Sequence, residues 1–254
     1  NGMFGPTWRA PQQWVRLRLL NGCNARILVL RLSDATPLLQ IANEAGLLAA
    51  PWPRSALTLA PGERAEVLVN FGLARSGQVT RLLASTAGGG MGMGMGSGMG
   101  TGSEAEVTAL TMRVDRPRQP GAMASPPTRL SPAAAISAGP GATVRTFSLD
   151  GGMMGSPFTI NGRSFDIART DLAVPPGVVE IWRFVNATAM VHPMHVHGVR
   201  MSLLSRDGSA PAGYEQGLRD TFVVDAMQTV TMAVQTPTSA SAVPLMFHCH
   251  ILEH

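Results

Sequence analysis

Lysine is absent from this sequence; all twenty basic residues are arginine, interspersed with sixteen acids for a net charge of only +4. With no basic run and no arginine cluster interleaved with aromatics, the sequence lacks the footprint of a nucleic-acid-binding protein. Aromatics are sparse, at 5%, and charged residues make up 14%. No apolar run approaches the roughly 18 residues that a membrane-spanning helix needs, and no long stretch keeps a 3.6-residue period. No partner is written in the charge. A signal peptide is lacking as well, but the chain opens abruptly at NGMFGPTWRAP, so its absence carries no information about export.

What is present is apolar substance. Over 254 residues, 45% are apolar, enough for the core of one large domain or two ordinary ones. Short β-branched and leucine-rich runs are separated by Pro-Gly, Asp-Gly and Asn-Gly, the pattern of an antiparallel sandwich or Greek-key barrel. The expected fold class is therefore all-β.

The chain also repeats itself. Residues 17–32, LRLLNGCNARILVLRL, lie without gaps on residues 182–197, WRFVNATAMVHPMHVH, so that Asn21 meets Asn186. Residues 58–71, TLAPGERAEVLVNF, lie on 223–236, VVDAMQTVTMAVQT, with the same strand character. This predicts two copies of one β-domain, 1–116 and 143–254, joined by an extended Pro/Ala/Ser linker over 117–142. In this alignment His192, His195 and His197 fall opposite Ile27, Leu30 and Leu32: one copy keeps an apolar strand where the other carries ligands.

All six histidines lie in two short clusters, HPMHVHG (192–198) and HCHILEH (248–254). Neutral imidazole is a common metal ligand, and clustering with cysteine marks a metal site. The single cysteine between two histidines does not fit structural zinc, which takes C-x-x-C pairs or H-x-x-x-H on a helix. On a strand, alternation sends Cys249 to one face and His248 and His250 to the other, so one stretch serves two metal centres. His195 and His197 share a face, and His192, next to Pro193, can turn toward the thiolate. Two histidines and a cysteine form the trigonal blue-copper arrangement.

HPMHVHG followed some fifty residues later by HCHILEH resembles the paired C-terminal copper motifs of the multicopper oxidases. RLRLLNGCNAR with PGERAEVLVNF resembles the middle domain of their bacterial branch, the laccases and cuprous oxidases. The resemblance covers nearly the whole chain and implies tandem cupredoxin-like sandwiches. It implies four copper ions in the complete enzyme. His192, Cys249 and His254 become the type 1 copper ligands, His195 a type 2 ligand, and His197, His248 and His250 ligands of the type 3 pair. The implied reaction is one-electron oxidation of phenolic or aromatic substrates, or of metal ions, at type 1 copper. Cys249, His248 and His250 pass the electrons on, and O2 is reduced to water at the trinuclear cluster. His254 is the expected solvent-facing entry ligand, with His192 next. The alternatives are a copper-binding or electron-transfer module and a cuprous-ion oxidase in copper tolerance. A non-catalytic structural relative predicts degraded ligand motifs, and none of these is degraded. Family membership implies a periplasmic or secreted location.

Several features depart from the pattern. The family's trinuclear cluster takes eight histidines, so four must come from a missing N-terminal domain or a partner chain. The sequence stops at His254, before the family's axial ligand and closing strand; the first copy likewise lacks its N-terminal part. No acid precedes His192, although Met190 is present, and the Met-rich tract GGGMGMGMGSGMG lies at 88–100. Thioethers suit Cu(I), so Met91, Met93, Met95, Met99 and Met190 are candidate cuprous sites; a glycine linker with incidental methionine explains the tract equally well. Met153 and Met154 add slightly to the cuprous side. Cys23 reads as a buried free thiol in an apolar strand, Trp182 as core, and Asp220 as a carboxylate that either orients a copper histidine or serves a turn.

Overall fold

The computed structural model describes residues 2–87, 106–131, 135–152 and 156–254. Strands in the first half are β1 (Thr7–Pro11), β2 (Trp14–Leu20), β3 (Leu28–Leu32), β4 (Leu38–Asn43), β5 (Gly46–Arg54), β6 (Leu57–Leu59), β7 (Arg64–Asn70), β8 (Gln78–Thr86) and β9 (Val107–Arg116). The second half contributes β10 (Val144–Asp150), β11 (Thr159–Ile160), β12 (Val179–Asn186), β13 (His192–Val196), β14 (Arg200–Arg206), β15 (Thr221–Val224), β16 (Thr229–Gln235) and β17 (Phe247–Cys249). A single 3-10 turn, Gly213–Glu215, is the sole helical element among the described residues. The all-β expectation holds.

Each half stacks two sheets on its own core. In the first, β1-β9-β8-β3-β6 faces β2-β7-β4-β5; in the second, β15-β13-β17 faces β11-β10-β12-β16-β14. The pleat explains why these runs become strands: β2 sends Val15, Leu17 and Leu19 to the core side and Arg16 and Arg18 outward. Strand β12 buries Glu180, Trp182, Phe184 and Asn186. Its buried acid is satisfied by Arg145, at 2.6 and 2.9 Å, and by the Trp182 indole N–H at 2.8 Å. Leu30, Leu32, Val67, Val69 and Met112 centre one core. Phe147, Trp182, Phe184, Met194 and Phe222 centre the other.

The repeat is visible in the pairing. Leu20 pairs with Arg64 and Trp14 with Asn70 in the first half; Val185 pairs with Thr229 and Val179 with Gln235 in the second, each displaced equally along the chain. Even the bulges match, one between Gln40 and Ala42 opposite Val67 and Glu66, the other between Leu203 and Ser205 opposite Met232 and Thr231.

At the histidines, however, the ungapped alignment is wrong by one residue. Leu28 pairs with Leu59 and Leu30 with Leu57, whereas His192 pairs with Val224 and Met194 with Phe222. The structural counterparts of His192, His195 and His197 are therefore Leu28, Arg31 and Ser33, not Ile27, Leu30 and Leu32. The loop after Asn186 is one residue shorter than the loop after Asn21, and a one-residue slip on a strand exchanges its faces.

Cys23 also differs from expectation: it is half-buried in a loop rather than in a strand. Trp182 lies in the core, 3% exposed. The segment after β9 is extended but not detached. The Trp14 indole donates to Ala124 O (3.2 Å), Leu130 N to Ala49 O (2.9 Å), and Ile136 N to the Ser202 hydroxyl (2.8 Å), so it is strapped to both halves.

Candidate metal centre

Strand β13 sits between β15 and β17, and its parity sorts the side chains. Met194 pairs with Cys249, His195 with His248 and Val196 with Phe247. Met194 and Val196 enter the second core, with Phe247 and Cys249 packed against it. His195 and His248 face the other way. Backbone pairing continues past β17, His250 N donating to Pro193 O at 2.6 Å.

On the core side, His192, Cys249 and His254 offer ligand atoms within 4.8 Å of one another. His254 Nδ1 lies 3.3 Å from Cys249 Sγ and 3.1 Å from His192 Nδ1. Hydrogen bonding fixes the tautomer of His192. Asn186 donates its amide N–H groups to Met190 O (2.6 Å) and Asp225 O (2.8 Å), so its carbonyl oxygen must accept, here from the Thr188 hydroxyl at 2.7 Å. Thr188 Oγ1 is then left to accept from His192 Nε2–H at 3.0 Å. The unprotonated Nδ1 of His192 consequently faces the cluster, 3.1 Å from His254 Nδ1.

Burial keeps these groups neutral. It pushes His192 down to about 4, with the neighbouring His254 adding to the effect, and His254 down to about 4. Burial also pushes the Cys249 thiol up to about 12. Two neutral imidazoles and one sulfur, converging with His192 buried and the other two half-buried, match the donor set of a trigonal copper site, and a metal there would displace the thiol proton. Phe158 stacks on the His254 ring at 3.7 Å between centroids. A cleft of about 830 Å³ opens beside the group, bordered by Phe158, Phe165, Arg163 and Arg169 as well as His192, Cys249 and His254.

On the opposite side, His195, His197, His248 and His250 form a second group. Ring centroids are 4.5 Å apart for His195–His197, 5.3 Å for His197–His248 and 5.5 Å for His248–His250. His248 Nδ1 donates to Cys249 O (2.8 Å), leaving its Nε2 at 3.2 Å from that of His197. Burial, then the neighbouring imidazoles, lowers His197; burial also lowers His248. His195 Nδ1 lies 2.9 Å from Thr221 Oγ1 and 3.0 Å from Asp220 O. Burial raises the Asp220 carboxyl, but hydrogen bonds from His195, Arg64 and Thr221 outweigh it and hold the group far below the usual range.

Every histidine singled out from the sequence thus lands in one of two clusters. Met91, Met93, Met95, Met99, Met153 and Met154 lie outside the described residues. Met190 is half-buried, its sulfur beside Gly152, and belongs to neither cluster. Sequence reasoning missed Thr188, Asn186 and Phe158 around His192 and His254, and Gly62 and Arg64 beside the four-histidine face. An Asn-x-Thr corner a few residues before the first histidine was the available signal for the first two.

The multicopper oxidase family profile matches residues 140–254. Among curated relatives, the cell division protein FtsP of Photorhabdus laumondii is 31% identical over 256 residues, all of this chain and 51% of that protein. The multicopper oxidase mco of Staphylococcus haemolyticus is 27% identical, again over all of this chain and 48% of that protein. The structure superimposes on the laccase-like multicopper oxidase CueO from Ochrobactrum sp. with a TM-score of 0.81 at 32% identity, covering 98% of this chain and 55% of that one. A variant of McoA from Aquifex aeolicus gives 0.80 at 31%, covering 98% and 55%. The chain belongs to the multicopper oxidase family, and its two sandwiches are cupredoxin-like. It resembles the bacterial members and spans about half the length of the curated relatives it matches.

Proposed function

We propose that this chain carries the electron-entry site and half of the oxygen site of a multicopper oxidase, with His192, Cys249 and His254 as type 1 ligands. His195 is read as a type 2 ligand, and His197, His248 and His250 as type 3 ligands. One observation carries the reading: a His2Cys cluster and a four-histidine cluster lie on opposite faces of paired strands β13 and β17, joined through the Cys249 backbone. Copper bound at these positions would supply one-electron chemistry on the cysteine side and O2 reduction on the histidine side, four ions in the complete protein.

The protein's own residues do the rest. Thr188 holds the His192 proton away from the ligand atom, the second core packs against Cys249, and His254 presents a half-buried edge to the cleft. An electron donor docked there, a phenol, an aromatic amine or a metal ion, contacts His254 first. We assign residues 1–116 and 143–254 to the middle and C-terminal domains and 117–142 to the linker. Four further histidines come from the remainder of the protein or from a partner chain. Among the described residues no helix is long and apolar enough to cross a membrane; a periplasmic or secreted location is proposed from the family resemblance.

The test is copper loading of the purified polypeptide, followed by visible absorption, electron paramagnetic resonance and a copper count. An intense thiolate-to-copper band with narrow copper hyperfine splitting is expected; no such band would overturn the type 1 assignment. The likeness to the cell division protein FtsP favours a second reading: a role in cell division without oxidase turnover. Oxygen uptake with a phenolic donor by the full-length protein separates the two.

A further inference from the structure

The turn and strand start Ala60–Pro61–Gly62–Glu63–Arg64 of the first half reach the four-histidine face of the second. Glu63-Arg64 meets Arg219-Asp220 with charges crossed. Arg64 grips Asp220 through two parallel hydrogen bonds, Nη1 to Oδ1 and Nη2 to Oδ2, both 2.7 Å. Arg219 Nη1 lies 3.4 Å from Glu63 Oε1 and 3.7 Å from Glu44 Oε2, all three side chains buried. Arg64 is anchored on its own side: its backbone N–H donates to Glu44 Oε1 (3.2 Å) and its Nη1 to Gly62 O (3.3 Å).

That grip leads to a ligand. Asp220 Oδ1 accepts the Thr221 hydroxyl at 2.8 Å, which commits the only hydroxyl proton. Thr221 Oγ1 and Asp220 O therefore both accept from His195 Nδ1, at 2.9 and 3.0 Å. The proton stays on Nδ1 and the lone pair on Nε2 is free for a metal. If the carboxylate loses its anchor, the Thr221 hydroxyl is freed to donate to Nδ1 and only Asp220 O still holds the Nδ1 proton, so the tautomer whose Nε2 carries hydrogen and cannot ligate competes.

Gly62 makes the second contact. Its backbone is left-handed (φ +79°), and a Cβ there would stand 2.3 Å from the His250 imidazole, so only glycine leaves the ring its place.

Resting on the metal assignment above, we propose that the copper-free half positions the histidine face of the other half, with Arg64 setting the tautomer of His195 through Asp220 and Thr221 and Gly62 seating His250. These are positioning residues: neither touches a reacting atom.

The experiment compares the wild type with Arg64→Met, Arg64→Lys and Gly62→Ala, all as the full 254-residue chain. The copper-free proteins, labelled with 15N-histidine, report the His195 tautomer by NMR. Copper titration then reads the blue band and the non-blue paramagnetic copper separately. In the wild type His195 should be Nδ1-protonated. Arg64→Met should give a mixed tautomer and roughly tenfold weaker non-blue copper binding, the scale expected for a ligand's hydrogen-bonding partner, with the blue band kept. Arg64→Lys, which keeps the charge but not the fork, should recover part of that loss. Gly62→Ala should weaken non-blue copper and leave the His195 tautomer alone. An unchanged tautomer and unchanged non-blue affinity in Arg64→Met would overturn the inference, as would equal loss of both copper signals in Arg64→Lys and Gly62→Ala. A wild type without a blue band sinks the metal assignment instead; the tautomer measurement still tests the positioning on its own.

Discussion

Asn21 and Asn186 close the same corner in the two halves, each buried at the end of a strand. The side-chain carbonyl of each accepts the amide two residues on, from Cys23 and Thr188 respectively, at 2.9 Å in both cases. The amide of Asn21 donates to Arg26 O and Leu59 O; that of Asn186 donates to Met190 O and Asp225 O. The first bond closes over five residues in one half and four in the other, which is the missing loop residue. From that corner emerge Leu28, Leu30 and Leu32 facing a hydrocarbon core in the first half, and His192, Met194 and Val196 in the same pleat positions in the second. Arg31 and Ser33 on the outer face become His195 and His197, and Ala84 becomes Cys249. The backbone hardly distinguishes the halves. The candidate metal centre is made by side chains on a frame that serves equally well without it, plus one hydroxyl, Thr188, where the first half has a thiol.

The strongest way to break this comparison is to remove the thiolate. Cys249→Ser should abolish the blue band and leave non-blue copper on the histidine face, while His195→Ala should do the reverse; if both lost the same metal, the two-faced strand would be disproved. A smaller effect is expected from Thr188→Val, which keeps the shape and deletes the hydroxyl that holds the His192 proton. Blue-copper affinity should fall about tenfold, whereas the counterpart Cys23→Val should leave copper titrations unchanged. The corners themselves can be compared: Asn21→Ala and Asn186→Ala each strand buried carbonyls and should each cost roughly 2–3 kcal/mol in denaturant unfolding. Only Asn186→Ala should also weaken the blue site.

The mildest test concerns the buried acid between the halves. Burial raises Glu44 to about 8, with Glu63 adding to the shift and Arg219 opposing it. The folded state thus binds a proton that the unfolded state has released above about 4.5. This contribution to stability is complete below that pH and is lost as pH rises toward about 8. Thermal unfolding of the wild type relative to Glu44→Gln should show the wild type losing ground across that window; parallel curves would refute the assignment.

The fold class was legible because alternating apolar runs and Gly/Pro punctuation are local signals, and the histidine clusters because all six histidines crowd into two heptapeptides. Parity alone placed Cys249 opposite His248. The register was not legible: an ungapped match cannot see a loop shortened by one residue, and on a strand that single residue decides which face Leu30 or His195 occupies. Thr188 and Arg64 were hidden for a different reason. Their roles depend on which atoms meet in space, and Arg64 and Asp220 stand 156 positions apart. PGER reads as an ordinary turn leading into a strand until its partner is seen.

The strap through Ala124, Leu130 and Ile136 makes the meeting of the halves an intramolecular event. Tethered surfaces face each other at an effective concentration on the order of millimolar, so a contact too weak to join separate chains stays closed. The crossed Glu63-Arg64 and Arg219-Asp220 pairs are thereby released from having to supply affinity and can be selected for alignment alone. Severing the strap, rather than altering any ligand, would turn the orientation of His195 into a concentration-dependent property.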